Sequence, residues 1–156
     1  MALNSEPEIA SNLVQIHLNL LQTWNKDWEI KINESKSAHC TFTLKPRNCP
    51  TITLNNLPIP TTQNFRYLGL HLDCRLTWAH HIHTKRIALN NRSRQLRLLV
   101  TSKHINLSNK ILLYKLLLRP IRLYGIQLWG SAKPSNIKKI QTFQSKCLRQ
   151  ITKAPF

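Results

Sequence analysis

Between residues 9 and 28 the apolar side chains Ile9, Leu13, Ile16, Leu20, Leu21, Trp24 and Trp28 recur at steps of three and four, which predicts an amphipathic helix. Pro7 suits its first turn. From Glu29 the period shortens to β-rich runs at 29–33, 38–44, 51–54 and 65–72, divided by Pro, Asn and Ser, and these predict a small one-sided antiparallel meander. The pair Asn55-Asn56 is placed to turn a hairpin, with prolines at 58 and 60 confining its second arm to an edge. After Asp73 the period becomes helical and stays so. Trp78, Ile82, Leu89, Leu96 and Val100 predict one face of a helix of about six turns. A second helix is expected from Ser108 as N-cap through Ile111, Leu112, Leu116, Leu123 and Leu128, kinked at Pro120, and a third from near Pro134. On the third, Ile137, Ile140, Phe143, Cys147, Leu148 and Ile151 fall opposite Lys138, Lys139, Lys146, Arg149 and Lys153. The expected class is α+β, with residues 1–73 holding the helix and sheet and 74–156 a basic bundle of about three helices.

Charge sharpens that division. Residues 74–156 carry seventeen Lys or Arg and no Asp or Glu, whereas 1–73 hold six of each sign. Self-repulsion of this kind opposes a compact state, so a polyanionic partner is its expected use, nucleic acid before anionic membrane. Lys85, Arg86 and Arg92 on the first basic helix join the five bases of the third as candidate phosphate contacts. A purely solvated face is the simpler reading of any one such helix. At 156 residues and 42% hydrophobic content the chain can bury a core. Four cysteines without a CxxC pair or a preceding secretory pattern read as reduced thiols of an intracellular protein, nuclear or cytoplasmic. The most lipid-like window, 111–129, is broken by Lys115, Arg119, Pro120 and Arg122, so no membrane span is expected.

Catalytic chemistry is thin. The six acids, Glu6, Glu8, Asp27, Glu29, Glu34 and Asp73, form no clamp for two metals. His80, His81 and His83, with Cys74 as a conceivable fourth ligand, lack the second ligand pair of a zinc site and read more simply as exposed helix residues. With only Gly69, Gly125 and Gly130 in the chain, no phosphate-cradling glycine loop can be built. Gly69 interrupts a strand-like run, which means either a tight hairpin bend or another backbone approaching closely, with Arg66 and Tyr67 on opposite faces beside it.

The runs WNKDWEIKINESKS (24–37), FRYLGLHLD (65–73), LTW (76–78) and YGIQLWG (124–130) together resemble the reverse transcriptases of non-long-terminal-repeat retrotransposons, the jockey-like elements of insects above all. The resemblance covers essentially the whole chain. It implies a C-terminal palm and thumb fragment that starts after the catalytic aromatic-x-Asp-Asp motif and is therefore inactive alone. Lys36 matches a lysine near the leaving pyrophosphate, a general acid only in an intact enzyme. Residues 65–72, with Arg66, Tyr67 and Gly69, match the primer grip, and the basic helices match the thumb. No cofactor is expected, magnesium belonging to the intact polymerase. The implied partners are an RNA or DNA primer-template and the missing fingers and palm half. Two rivals stand beside this reading: a domesticated protein-interaction module and a free-standing basic RNA-binding protein.

Overall fold

The computed structural model describes residues 4–45 and 49–154. It divides into two compact units, one of Met1–Arg66 with Asp73–Arg75 and one of Tyr67–Leu72 with Leu76–Phe156. The sequence placed the boundary at 73–77. In the structure the segment Tyr67–Leu72 packs with the helical unit, for a reason found in Tyr124 below.

The first unit opens with α1, Pro7–Asp27, its proline in the first turn where a missing N–H costs nothing. The helix lies on β1, Thr53–Leu54, which is paired antiparallel with β2, Leu57–Pro58, in the register Thr53 to Pro58 and Leu54 to Leu57. Asn55 and Asn56 join the two strands, both at positive φ as a primed hairpin turn requires. Val14, Leu18 and Ile32 pack on Ile52, Leu54 and Ile59. The Gln15 amide works as a surrogate strand at the edge of β1: its Oε1 accepts from the Thr53 N–H at 2.8 Å and its Nε2 donates to the Thr53 carbonyl at 3.0 Å. This core is small and leaves an open cavity of about 660 Å³, lined by Val14, Leu18, Phe42, Ile52, Ile59 and Phe65 among others.

The packing reverses the expected orientation of α1. Ser11 is buried and Val14 and Leu18 are half-buried, whereas Ile9, Leu13, Ile16, Leu20, Leu21, Trp24 and Trp28 are all exposed, Leu20 to 66% and Trp28 to 68%. At 100° per residue the exposed stripe centres about 140° from the buried one. The cause is the small sheet, which accepts a side with Ser11, Val14 and the Gln15 amide, because that side brings the helix close enough to bond to Thr53. The strand expectations at 29–33 and 38–44 also fail. Asn33 instead accepts from the Lys36 N–H at 3.1 Å and opens a 3₁₀ turn, Glu34–Lys36, since short polar side chains offer the backbone a local alternative to a ladder. Residues 38–44 hold one parallel bridge, His39 with Thr61, and one further backbone bond, from the Thr43 N–H to the Cys74 carbonyl at 2.9 Å.

The second sheet pairs β3, Asn64–Tyr67, with β4, Leu70–Asp73. The run 65–72 is thus not one strand but a hairpin, and Leu68 and Gly69, at φ +46° and +76°, make its turn. Of the two readings left open for Gly69, the hairpin bend is what the backbone adopts.

The helical unit is built on α2, Ala79–Thr101, and α6, Pro134–Thr152, which pack along each other. α2 buries Ile82, Leu89, Leu96 and Val100, with Trp78 just ahead of it 5% exposed in a left-handed conformation. α6 buries Ile140, Cys147 and Ile151 and keeps its five bases in solvent, as its pattern predicts. Between them the expected single kinked helix is four pieces: α3, Leu107–Leu113; a π-helical turn, Tyr114–Leu118; α4, Arg119–Leu123; and α5, Ile126–Trp129. The cap of α3 is Asn106, whose side chain accepts from the Asn109 N–H at 2.9 Å, not Ser108. The π turn bonds the Arg119 N–H to the Tyr114 carbonyl five residues back, just ahead of Pro120, which has no N–H to give. Tyr114, Leu118 and Trp129 are buried while the expected Leu112, Leu116 and Leu128 are 51–62% exposed, and the wider turn shifts the register only of the residues that follow it.

Paired substitutions test the orientation of α1. Leu18→Ala should cost about 1–2 kcal/mol in urea denaturation, and Leu20→Ala, on the opposite face, less than about 0.5 kcal/mol. The reverse order would mean that the periodic stripe is the buried face in solution.

Candidate nucleic-acid interface

The three glycines and two of the family-like runs converge on one place in the helical unit. The Tyr124 hydroxyl donates to the Leu68 carbonyl at 2.5 Å, fixing the β3–β4 turn to the break between α4 and α5. A Cβ on Gly69 would lie 3.4 Å from Tyr124 Cε1, in van der Waals contact with the ring. Gly125, at φ +69°, opens α5, and a Cβ there would come within 2.6 Å of Leu70 Cδ2. At Gly130 a Cβ would run into the Ile126 carbonyl. Trp129, 2% exposed, donates from Nε1 to the Tyr124 carbonyl at 2.9 Å. The tip that this scaffold presents is exposed and apolar-aromatic: Tyr67 at 61% and Leu68 at 70%.

Lys85 underlies the scaffold. Its sequence assignment as a phosphate contact is corrected by its burial, 7% exposed, and by the commitment of its ammonium. Nζ donates to the Ile121 carbonyl at 2.8 Å and lies 5.3 Å from the Tyr124 ring centroid and 5.7 Å from that of Trp129. Residue 125 is left-handed and the helix ends at Leu123, so the Ile121 carbonyl is one of the orphan acceptors of a helix C-terminus, and a lysine is suited to it. Burial draws its pKa down to about 8. His81, 2% exposed, lies edge to face with Trp78. Its Nδ1 accepts from the His71 N–H at 3.3 Å, which leaves the ring proton on a buried Nε2 without a hydrogen-bond partner. Burial first, then Lys85, His71 and His80, hold its pKa near 4. His80 and His83 are exposed, and no three His, Cys, Asp or Glu side chains among the described residues gather to hold a metal.

The other candidates are solvent-facing. Arg66 and Tyr67 are exposed on β3, and Lys36 is exposed at the end of its 3₁₀ turn. Arg86 and Arg92 stand about 120° apart around α2, on either side of its buried face rather than together. Arg92 bonds Gln95 at 3.1 Å. Only α6 gathers its bases on one side: Lys138, Lys139, Lys146, Arg149 and Lys153 all lie opposite Ile140, Cys147 and Ile151, with Lys139 donating to Asn136 at 2.9 Å. The helical unit contains no Asp or Glu, so no side-chain carboxylate within it can neutralise them. Sequence reasoning missed Tyr124 as a structural partner of the turn. The signal available was a tyrosine set directly before a glycine in a region otherwise helical.

The known proteins to which the chain is similar are retrotransposon polymerases. The chain is 34% identical over 148 residues to the RNA-directed DNA polymerase from mobile element jockey of Drosophila funebris, a match covering 94% of this chain and 16% of that protein. It is 41% identical over 130 residues to the probable RNA-directed DNA polymerase from transposon X-element of Drosophila melanogaster, over 83% of this chain and 14% of the relative. To the corresponding protein from transposon BS of the same species it is 36% identical over 151 residues, or 94% and 17%. The chain spans a small part of each relative's length. No protein-family model and no solved structure matches it.

The lowered pKa of Lys85 makes a pH prediction. A lysine with a folded pKa near 8 and an ordinary unfolded value of 10.5 leaves the folded state with fewer bound protons between those values, so its contribution to stability rises as pH goes from 8 to 10.5. Wild type should gain stability relative to Lys85→Met across that window in urea titrations at fixed ionic strength. Parallel curves would mean that the ammonium is as well solvated folded as unfolded.

Proposed function

We propose that this chain, which is homologous to one segment of the RNA-directed DNA polymerases of jockey-type retrotransposons, supplies primer-template binding to such a polymerase and does no chemistry by itself. The observation that carries the proposal is the solvent face of α6, five bases in a unit without a carboxylate, set opposite a well-packed apolar stripe. Fixed on a helix by that stripe, the bases track phosphates through charge and without reading sequence. The turn at Leu68-Gly69 is the primer grip of this reading, where exposed Tyr67 meets the end of the primer by stacking. Lys36 is the pyrophosphate-side acid in the assembled enzyme, and has no reaction to serve without a metal site. Work on nucleic acid by a protein with four free cysteines suits a nuclear or cytoplasmic location.

A protein partner is supported by a separate observation. α1 is apolar on two opposite faces, and one face is covered by the β1–β2 hairpin's core. A helix with that composition belongs in an interior. The outer stripe, from Ile9 to Trp28, is the surface that the remainder of the polymerase covers.

Affinity should fall with salt as log against log with a slope of roughly −4 to −7 on primed template, corresponding to about five to eight phosphate contacts. The variant carrying Lys139→Glu, Lys146→Glu and Arg149→Glu should flatten that slope by about 3 with helix content unchanged by circular dichroism. An unchanged slope would put the contacts elsewhere than α6, and salt-independent binding would end the proposal. Primer extension by the purified chain with magnesium or manganese should stay at background. Incorporation abolished by Asp73→Asn would reverse the conclusion on catalysis.

A further inference from the structure

On the nucleic-acid reading above, we propose that Tyr124 is the positioning residue of the β3–β4 turn: its hydroxyl sets the orientation in which Tyr67 and Leu68 meet a recessed primer end. Four contacts converge on this role. The hydroxyl donates to the carbonyl of Leu68, a central residue of the turn, so the bond restrains the peptide at the tip rather than a side chain. The ring lies against Gly69, where anything larger than hydrogen would meet it at 3.4 Å. Beneath, the ring is backed by the Lys85 ammonium 5.3 Å from its centroid, and the Tyr124 carbonyl accepts from Trp129 at 2.9 Å. Both ends of the tyrosine are therefore held.

A two-residue turn between two four-residue strands has little of its own to hold a direction, and short hairpins are marginal in water. The residues at its tip are exposed, Tyr67 at 61% and Leu68 at 70%, so neither packs firmly enough to fix the other. Tyr124 reaches the turn from 56 residues further along the chain and ties it to the core that contains Trp129. Positioning of this kind acts on a ligand that meets the tip, and leaves binding along the basic helices alone. The substrate feature it selects is a terminus, where a base has an exposed face for an aromatic ring to stack upon.

The test uses the full chain with three probes: a primed template with a recessed 3′ end, a blunt duplex of the same length, and the primed template carrying 2-aminopurine at the primer terminus. Wild type should bind the recessed end more tightly than the duplex and quench the terminal fluorophore. Tyr124→Phe keeps the ring against Gly69 and Lys85 and removes only the hydroxyl. It should lose about fivefold in affinity for the recessed end, the worth of one hydrogen bond, and most of the quenching, with duplex affinity unchanged. Its urea midpoint guards against misfolding, and Tyr67→Ala should remove the quenching without touching the Tyr124 contact. Should Tyr124→Phe unfold, the wild-type protein still decides through its amide exchange: Gly69 and Leu70 must be protected relative to Asn56 and Leu57, the matching positions of the turn that no tyrosine holds. Equal protection overturns the positioning role. Preference for the recessed end retained in Tyr124→Phe also overturns it. A wild type that binds both DNAs alike overturns the primer-grip reading, and the positioning role falls with it.

Discussion

The helical unit is organised around a buried lysine. Lys85 projects from the second turn of α2 into the break between α4 and α5, and there it satisfies a helix-end carbonyl that the backbone cannot reach. An ammonium in an interior is costly unless its donors are used, and here the Ile121 carbonyl takes one while the faces of Tyr124 and Trp129 lie within cation–π range. The arrangement explains why the chain can afford an interruption at Tyr124-Gly125 at all. Without Lys85 the break would expose an unpaired carbonyl in the core. With it, the break becomes a rigid corner, and the hairpin turn is hung on that corner through the Tyr124 hydroxyl.

How far this was legible in the sequence follows from how many faces each segment must satisfy. α2 and α6 each bury one stripe, and periodicity found the apolar members of both, though not His81 and Lys85 on α2 or Asn136 on α6. α1 buries one stripe and carries another, and the periodic signal came from the larger, exposed one. Periodicity counts apolar residues without saying which partner is present. Between 107 and 129 the error has a local cause, because a π turn ahead of Pro120 adds a residue to one turn and moves every later side chain off the 100° progression. The candidate site divides in the same way. The α6 bases were legible as one face of an amphipathic helix, whereas Lys85 was misassigned because a lysine at a core position looks like any other base until the orphan carbonyl it serves is known. Tyr124 needed a contact 56 residues away, which no local pattern encodes.

The histidines illustrate how burial decides chemistry. A group at 80, 81 and 83 suggested ligands, yet successive helical positions put His81 into the core and leave His80 and His83 in water. His81 then serves the hairpin, accepting the His71 N–H, and its position against Trp78 and beside the Lys85 charge keeps it neutral. A residue type associated with metal and proton transfer is here a packing element with one hydrogen bond. The low acid count acts in the same direction, since the six carboxylates are spread over a helix start, a helix end, a short turn and the end of β4.

Each unit also leaves one demand unmet, and the two demands differ in kind. In the first, a 21-residue helix shows water an apolar face as long as itself over a core that already encloses a cavity, and the force that would complete it is hydrophobic and independent of salt. In the second, apolar packing is continuous from Leu70 to Ile151, and what is unmet is charge: bases without a single carboxylate among them, whose repulsion is weakened by salt and removed by phosphates. One partner cannot answer both. A polyanion leaves the outer face of α1 wet, and a protein surface that covers α1 does nothing for α6. The two unmet demands thus rest on two forces, one screened by salt and the other independent of it.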